Sequence, residues 1–409
     1  MATERSPAGM MGRLSAMFFL IGMSPGFYVP VLTNILLKAG LDSSELQWAW
    51  LAFPLASMIS PLWIGALADN RFSAQRLLGW AGLVSALLLG AGFVTLDAGM
   101  GPWWFLGLFF ASSVIGASMW STLAVICMRH LRHSERDFPV VRLGGTLGWL
   151  AAGYVTSLVL NADASPVAGY AAAVVRLLGG LLAFTLPDTP PPGRSRSWRT
   201  LMGFDAFRLL RERDHLVFFA TTALLSMPLV AFYMWLPRHL EETGDTRVAA
   251  TMAMGQWSEI AAMLLMAALM SRFRVKTLLL TALLLSVLRY ALFAWSGYSG
   301  ERTGLLTGIA LHGLCYTLYF ITAQLFLDRR VAPELRGQAQ GLLSLVSNGI
   351  GSLAGTIMVR VWYDQTAGTD GGSWLSYWAW LGAFIAVLTL AFAWFYRGLP
   401  AGGRGSPGS

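Results

Sequence analysis

The chain contains 409 residues, of which 56% are hydrophobic and only 12% are charged, and its mean hydropathy is +0.58. A soluble protein of this length needs far more polar side chains, so the composition excludes that class and predicts a polytopic membrane protein. The formal net charge of +8 is distributed over separate loops. This distribution is typical of membrane topology and lipid headgroup contact, and it argues against nucleic-acid binding.

Apolar segments long enough to cross a bilayer follow one another along the chain. They cover residues 14–37, 47–68, 77–97, 103–128, 140–160, 166–186, 215–237, 248–270, 277–297, 303–327, 338–359 and 374–396. Their number predicts an all-α polytopic membrane protein with twelve transmembrane helices in two six-helix halves, residues 1–186 and 215–409.

The stretch between the halves, residues 187–214, is rich in proline, serine and arginine and cannot span a bilayer. Within it, apolar side chains repeat at helical spacing at Leu201, Phe204, Phe207 and Leu210. We expect a cytoplasmic linker that contains an amphipathic interfacial helix.

Arginine and lysine are unevenly divided between the two sets of loops, and this asymmetry predicts the orientation. One set is rich in cations: Arg71, Arg76, Arg129, Arg132, Arg136, the linker, Arg272, Arg274, Lys276, Arg329, Arg330 and Arg336. The opposite set holds only Lys38, Arg238, Arg247, Arg302 and Arg360. The rich side, which carries both termini, is therefore predicted to be cytoplasmic.

The sequence offers no pattern for catalysis or cofactor binding. Its two cysteines, Cys127 and Cys315, lie far apart in apolar runs and predict neither a disulfide framework nor a metal site. We find no nucleophile with a base at motif spacing and no phosphate-binding glycine loop. The expectation is a protein that is not an enzyme and needs no cofactor or metal.

A lone arginine, Arg142, lies in an otherwise apolar run, DFPVVRLGGTLGW from Asp137 to Trp149. A cation inside a span is costly, so it is a candidate functional residue. Thr146 and Trp149 follow it at spacings of four and three, which brings all three to one helix face. Glycines at 144, 145 and 148 allow a second helix to approach closely.

Glu259 is the only carboxylate well inside a predicted span, and Gln256 lies three residues before it. Both can face one cavity, and a buried carboxyl group can take up and release a proton during a transport cycle. Together with Arg142 and Thr146 they supply the donors and acceptors that a sugar ring needs, while Trp149 could pack on a base. We expect Arg142 and Glu259 to meet across a central chamber, either as gate and substrate site or as a structural ion pair.

The halves repeat each other: basic turns follow the second and eighth helices, and the fourth and tenth. Such parallel repeats predict a substrate site at the midplane between them. GALADNR at residues 65–71 resembles the loop signature of the major facilitator superfamily. The resemblance implies that fold, alternating access and structural or gating roles for Asp69 and Arg71.

A narrower resemblance covers nearly the whole chain. DFPVVRLGGTLGW, FTLP, LMGFDAF, QWSE, LRYALFA and VAPELRGQAQGLLSLVSNGIGSLAG are similar, in this order, to segments of the bacterial nucleoside:proton symporters of that superfamily. The resemblance implies that Arg142, Thr146, Trp149, Gln256 and Glu259 line a nucleoside site. It also implies a protein of the bacterial inner membrane, which we expect to be a monomer.

Further polar residues are weighed against ordinary helix packing. Tyr233 lies near a break in the seventh helix, and His312 and Tyr316 share a face of the tenth. Tyr233 and Tyr316 are candidate substrate ligands, and His312 is a candidate proton carrier beside Glu259. Thr317 stands where the family carries an aspartate and is a further candidate substrate ligand. Arg289 is expected to be architectural at the periphery.

These features predict a proton-coupled symporter that imports nucleosides by alternating access. The alternatives left open are a transporter of the same fold for sugars, another small polar metabolite or a drug, and a membrane receptor that does not transport.

Overall fold

The computed structural model describes residues 8–70, 72–191, 204–332, 335–369 and 371–398, and within these ranges the chain is helical without β-strands. The first half contains α1 (Ala8–Tyr28, continued by Val29–Val31 and Leu32–Lys38), α2 (Ser43–Asn70), α3 (Ala74–Asp97), α4 (Pro102–Gly116 and Met119–His130), α5 (Ser134–Leu158) and α6 (Val167–Ala183).

The second half contains a matching series of helices, several of them interrupted. They are α7 (Arg213–Met234 and Leu236–Glu242), α8 (Val248–Ala253 and Gly255–Arg272), α9 (Val275–Ser299), α10 (Thr303–Tyr316, the π-helical Thr317–Ile321, and Thr322–Arg330), α11 (Arg336–Ser344, the π-helical Leu345–Gly351, and Ser352–Gln365) and α12 (Trp374–Phe395).

Eight of these helical segments in the described residues are long and apolar enough to cross a membrane, namely α1, α3, α4, α7, α9, α10, α11 and α12. The chain is therefore a multi-pass membrane protein. Polar residues such as Asp137 and Arg142 lower the hydropathy of α5, and α6 has only 17 residues. The expected number of twelve spans remains a prediction.

The segment before α7 differs from the expected amphipathic α-helix. The structure has a 3₁₀-helix over Phe204–Arg211, and Phe207 is 40% exposed. Leu201 lies outside the described residues. At 3.0 residues per turn, residues three apart share a face, and the buried pair here is Ala206 and Leu209. Phe207 therefore lies on a different face from the buried one.

Glycines bring α1 and α5 into backbone contact, as the sequence predicted. A Cβ built on Gly148 would lie 2.1 Å from the carbonyl oxygen of Phe19, and one on Gly144 would lie 2.5 Å from that of Ser15. Only glycine leaves room for such an approach. The polar face of α5 is thereby fixed against the core of the first half.

A second close approach positions α8 against α10. A Cβ on Gly313 would lie 2.1 Å from the backbone nitrogen of Glu259. The interruption of α8 after Ala253 starts its second segment at Gly255, so Gln256 and Glu259 occupy the first turns of that segment.

The two halves contact each other at the end of the bundle where α1, α5 and α7 finish, which we call the far end. Asn34 Nδ2 donates to the carbonyl oxygen of Pro237 at 3.1 Å, and Thr33 Oγ1 donates to that of Met234. In the turn after α5, Asp163 Oδ1 accepts a 2.7 Å hydrogen bond from the backbone N–H of Ala249. These bonds join the halves at the far end.

Candidate functional site

One face of α5 points toward the junction of the halves. Arg142, Thr146 and Trp149 are each half-buried along it. The Arg142 guanidinium carbon lies 5.8 Å from the ring centroid of Trp120 on α4, within cation–π range. Trp120 also fills the space beside Gly145, where an added Cβ would lie 2.3 Å from its ring. The Trp120 indole thus packs between the Arg142 guanidinium and the α5 backbone at Gly145.

The decisive polar contact between the halves joins Thr146 to Glu259. Thr146 Oγ1 donates to Glu259 Oε1 with 3.3 Å between the oxygens. Glu259 is half-buried, and Gln256, three residues earlier on the same helix, is 6% exposed. The carboxylate therefore sits at the boundary of the halves with a hydroxyl donor from the opposite half.

The expected contact between Arg142 and Glu259 is corrected in one respect. Among the described side chains, no salt bridge joins these two residues. Thr146, one helical turn beyond Arg142, makes the direct bond instead. A turn of 3.6 residues separates the two α5 side chains along the helix axis, which explains why only one of them reaches Glu259.

Aromatic side chains complete the site from both halves. The ring centroids of Trp149 and Tyr233 lie 6.1 Å apart in an edge-to-face arrangement. Tyr316 on α10 is half-buried, its ring centroid lies 6.2 Å from that of His312, and His312 contacts the Tyr233 hydroxyl. Gly313, one turn before Tyr316, packs against the backbone of Glu259. The structure therefore brings Tyr233 and Tyr316 together with Glu259 and Trp149.

Arg289 is not the peripheral residue that we expected. It is 3% exposed, and its Nη1 lies 2.7 Å from His312 Nδ1. The other ring nitrogen of His312 lies 3.1 Å from the Tyr233 hydroxyl. Arg289 therefore stands directly behind the site, because α9 packs against α10 at this level.

Three other predicted residues either lie apart from this group or fall outside the described residues. Thr317 is fully buried in the π-helical turn of α10, and its hydroxyl has no hydrogen-bond partner among the described residues. Arg71 lies outside the described residues, and so does the side chain of Asp69.

Sequence reasoning missed two aromatic residues of the site. Trp120 packs beneath Arg142, and Phe232 stacks on His312 with centroids 3.9 Å apart and planes 4° apart. In a chain that is 12% aromatic, neither stood out from ordinary packing residues. The only local signal for Phe232 was its place beside Tyr233.

The arrangement combines a carboxylate that can exchange a proton, hydroxyl and amide groups, a cation and flat aromatic surfaces. Such a set suits a small polar cargo with a ring to stack and hydroxyls to bind. It lies between the two halves, where rotation of one half against the other would change its access.

Comparison with known proteins identifies the family. Residues 9–399 match the family model described as nucleoside H+ symporter. The chain belongs to the nucleoside H+ symporter family. It is a membrane transporter and not an enzyme. This family member is 31% identical to YegT of Escherichia coli (strain K12) over 94% of this chain and 93% of that protein.

Two further comparisons agree. The nucleoside permease NupG of Escherichia coli (strain K12) is 26% identical over 87% of this chain and 88% of its own. A crystal structure of the nucleoside transporter NupG superposes with a TM-score of 0.81 at 22% identity, covering 95% of this chain and 99% of that one. At that identity the superposition establishes the fold of this symporter family member, which is of the major facilitator type.

Proposed function

We propose that this protein imports nucleosides together with protons by alternating access. The observation that carries the proposal is the Thr146–Glu259 hydrogen bond, because it sets a carboxyl group from one half against a donor from the other. An ionised Glu259 only accepts hydrogen bonds from Thr146 or a cargo, whereas a protonated Glu259 can also donate one. Protonation is thereby linked to the contact between the halves.

The cargo assignment is supported by the family and by the chemistry of the lining. Gln256, Glu259, Thr146 and Arg142 offer paired donors and acceptors of the kind that ribose hydroxyls require. Trp149 presents an aromatic surface for a base. Tyr316 is assigned to the same cavity wall, whereas Thr317 is assigned no direct contact because it is fully buried.

Proton coupling is assigned to Glu259 alone. His312 was the second candidate, but its Nδ1 faces a guanidinium at 2.7 Å, and a second cation there would be strongly repelled. The ring serves better as a fixed hydrogen-bonding group.

The far-end contacts support an inward-facing arrangement. Asn34 with Pro237 and Asp163 with Ala249 hold the halves together at the end opposite the described starts of α1 and α7. With both termini in the cytoplasm, as the distribution of arginines favours, this is the periplasmic end. We assign the protein to the bacterial inner membrane as a monomer, with residues 1–186 and 215–409 as the moving halves and 187–214 connecting them.

Transport by purified protein in proteoliposomes tests the proposal. We expect accumulation of labelled uridine when the outside is acidic, and uridine counterflow without a pH gradient. Glu259→Gln should abolish accumulation and retain counterflow, because the amide keeps the shape but cannot exchange the proton. Glu301→Gln, at an exposed loop carboxylate, is the matched control.

The outcomes separate the alternatives. Competition by sugars but not by nucleosides would overturn the cargo assignment. Undiminished accumulation by Glu259→Gln would overturn the assignment of the proton to that residue.

A further inference from the structure

A chain of hydrogen bonds runs behind the site through three helices of the second half. Arg289 Nη1 on α9 lies 2.7 Å from His312 Nδ1 on α10, and His312 Nε2 lies 3.1 Å from the Tyr233 hydroxyl on α7. Arg289 and His312 are 3% and 1% exposed, while Tyr233 is only partly buried. The chain ends at Tyr233, whose ring contacts Trp149 of the opposite half.

The direction of these hydrogen bonds follows from the chemistry of Arg289. A guanidinium has donors only, so His312 Nδ1 must be the acceptor. A neutral imidazole carries one hydrogen, which is then on Nε2. Nε2–H donates to the Tyr233 oxygen, so the hydrogen of the tyrosine hydroxyl must point elsewhere.

Packing holds the imidazole in this orientation. Phe232 stacks on it at 3.9 Å with an angle of 4° between the planes. The Arg289 guanidinium carbon lies 5.2 Å from the Phe232 ring and 5.0 Å from the Tyr290 ring. Arg289 forms no salt bridge with a carboxylate among the described side chains, and its positive charge lies 2.7 Å from His312 Nδ1, where it disfavours a second proton on the ring.

Tyr233 also contacts a predicted site residue of the opposite half. Its ring makes an edge-to-face contact with Trp149 of the opposite half, with 6.1 Å between the ring centroids. A cargo held beside Trp149 would therefore meet the Tyr233 hydroxyl.

We propose that Arg289 and His312 are positioning residues that fix the Tyr233 hydroxyl as a hydrogen-bond donor toward the cargo. This inference rests on the proposed function and specifies part of its recognition. At this point the cavity selects an acceptor, such as a carbonyl oxygen or ring nitrogen of a base, and disfavours an amino group. Neither residue needs to touch the cargo to impose this choice.

Binding by purified protein tests the selection. The probes are uridine and a set of uridine analogues, each lacking one acceptor. We expect one analogue to bind the unmodified protein about tenfold more weakly than uridine, as expected for one lost hydrogen bond. Tyr233→Phe should bind uridine about tenfold more weakly and no longer distinguish that analogue from uridine.

The positioning residue is tested in the same assay. His312→Leu should lose the same discrimination as Tyr233→Phe, whereas His312→Gln should keep it. A glutamine can accept from Arg289 through its oxygen and donate to Tyr233 through its nitrogen. Wild-type discrimination in His312→Leu, or its loss in His312→Gln with folding intact, would overturn the proposal.

A spectroscopic measurement tests the arrangement independently of transport. In protein labelled with nitrogen-15 at its five histidines, the signals absent from His312→Gln belong to His312. At neutral pH we expect a neutral ring with its hydrogen on Nε2. A hydrogen on Nδ1, or a doubly protonated ring, contradicts the inference. If uridine does not bind at all, the proposed cargo fails while this measurement still decides the hydrogen-bond direction.

Discussion

Thr146 on α5 donates a hydrogen bond to Glu259 on α8, and the two residues belong to different halves of the molecule. The bond joins the candidate proton-binding group to the polar face of α5, which α1 fixes through backbone contacts at Gly144 and Gly148. We therefore propose that a change in the protonation of Glu259 alters the interface between the halves, on which alternating access depends.

Removal of the Thr146 hydroxyl should impair coupled transport. Thr146→Val keeps the shape but removes the donor, so we expect pH-driven uridine accumulation to fall about tenfold, as for the loss of one hydrogen bond to a charged group. Thr146→Ser should retain most activity. Thr307→Val, which alters an exposed threonine of α10, should match the unmodified protein in the same proteoliposome assay. Equal rates for Thr146→Val and Thr307→Val would contradict the role of the bond.

Arg142 should require its planar side chain as well as its charge. Arg142→Lys removes the guanidinium plane above Trp120, and we expect the KM for uridine to rise about fivefold. Trp120→Leu should have a similar effect, and the double variant should be no worse than either, because both changes remove one interaction. Arg213→Lys alters the cation–π pair with Phe395 and is the control. Additive effects at Arg142 and Trp120 would argue against their coupling.

The glycines of α5 should be sensitive to a single methyl group. Gly148→Ala introduces a Cβ that would lie 2.1 Å from the Phe19 carbonyl oxygen, so α1 and α5 must separate. We expect the free energy of unfolding to fall by about 1–3 kcal/mol, with a lower melting temperature. Gly107→Ala adds its methyl group in open space on α4 and should leave the melting temperature nearly unchanged. Equal melting temperatures for the two variants would refute the close packing.

Asp163 should make stability depend on pH in an unusual direction. Burial raises the pKa of Asp163 above its ordinary value, and the carboxylate accepts bonds from Ala249 and Ser157. The folded protein thus holds this proton more tightly than the unfolded chain does. The contribution to stability is present below the ordinary pKa and declines as the pH rises toward the raised pKa. Asp163→Asn should remove this decline from melting curves recorded in that window.

Asp42 should make stability depend on pH in the opposite direction to Asp163, and it serves as a control. The backbone N–H of Glu45, followed by the Ser44 hydroxyl, lowers the pKa of Asp42, which caps the start of α2. Its contribution is present above the ordinary aspartate pKa and is lost as the pH falls through the lowered pKa. Asp42→Asn should therefore reduce the loss of stability at acid pH. The same direction of change in both variants would contradict the assignment.

The sequence was sufficient to predict which side chains share a face of an individual helix. Helical spacing alone brought Arg142, Thr146 and Trp149 to one face, and the rarity of carboxylates within spans singled out Glu259. The partner of Glu259 was not predictable in this way. Thr146 and Arg142 share a face, and which of them reaches across depends on the axial offset between α5 and α8.

Contacts between helices of the same half could not be predicted from the sequence either. The chemistry of Arg289 and His312 depends on how α9 packs beside α10, and neither residue type nor spacing specifies that packing. The buried position of Thr317 likewise follows from the π-helical turn, which adds a residue to the turn and rotates the side chains around it.

The central claim is that Glu259 carries the proton that moves with the nucleoside. Proton movement driven by a uridine gradient, recorded with a pH-sensitive dye inside proteoliposomes, tests it most directly. The unmodified protein and Glu301→Gln should acidify the lumen when uridine enters, whereas Glu259→Gln should exchange uridine without a pH change. Uridine-dependent acidification by Glu259→Gln at the rate of the unmodified protein would contradict the claim.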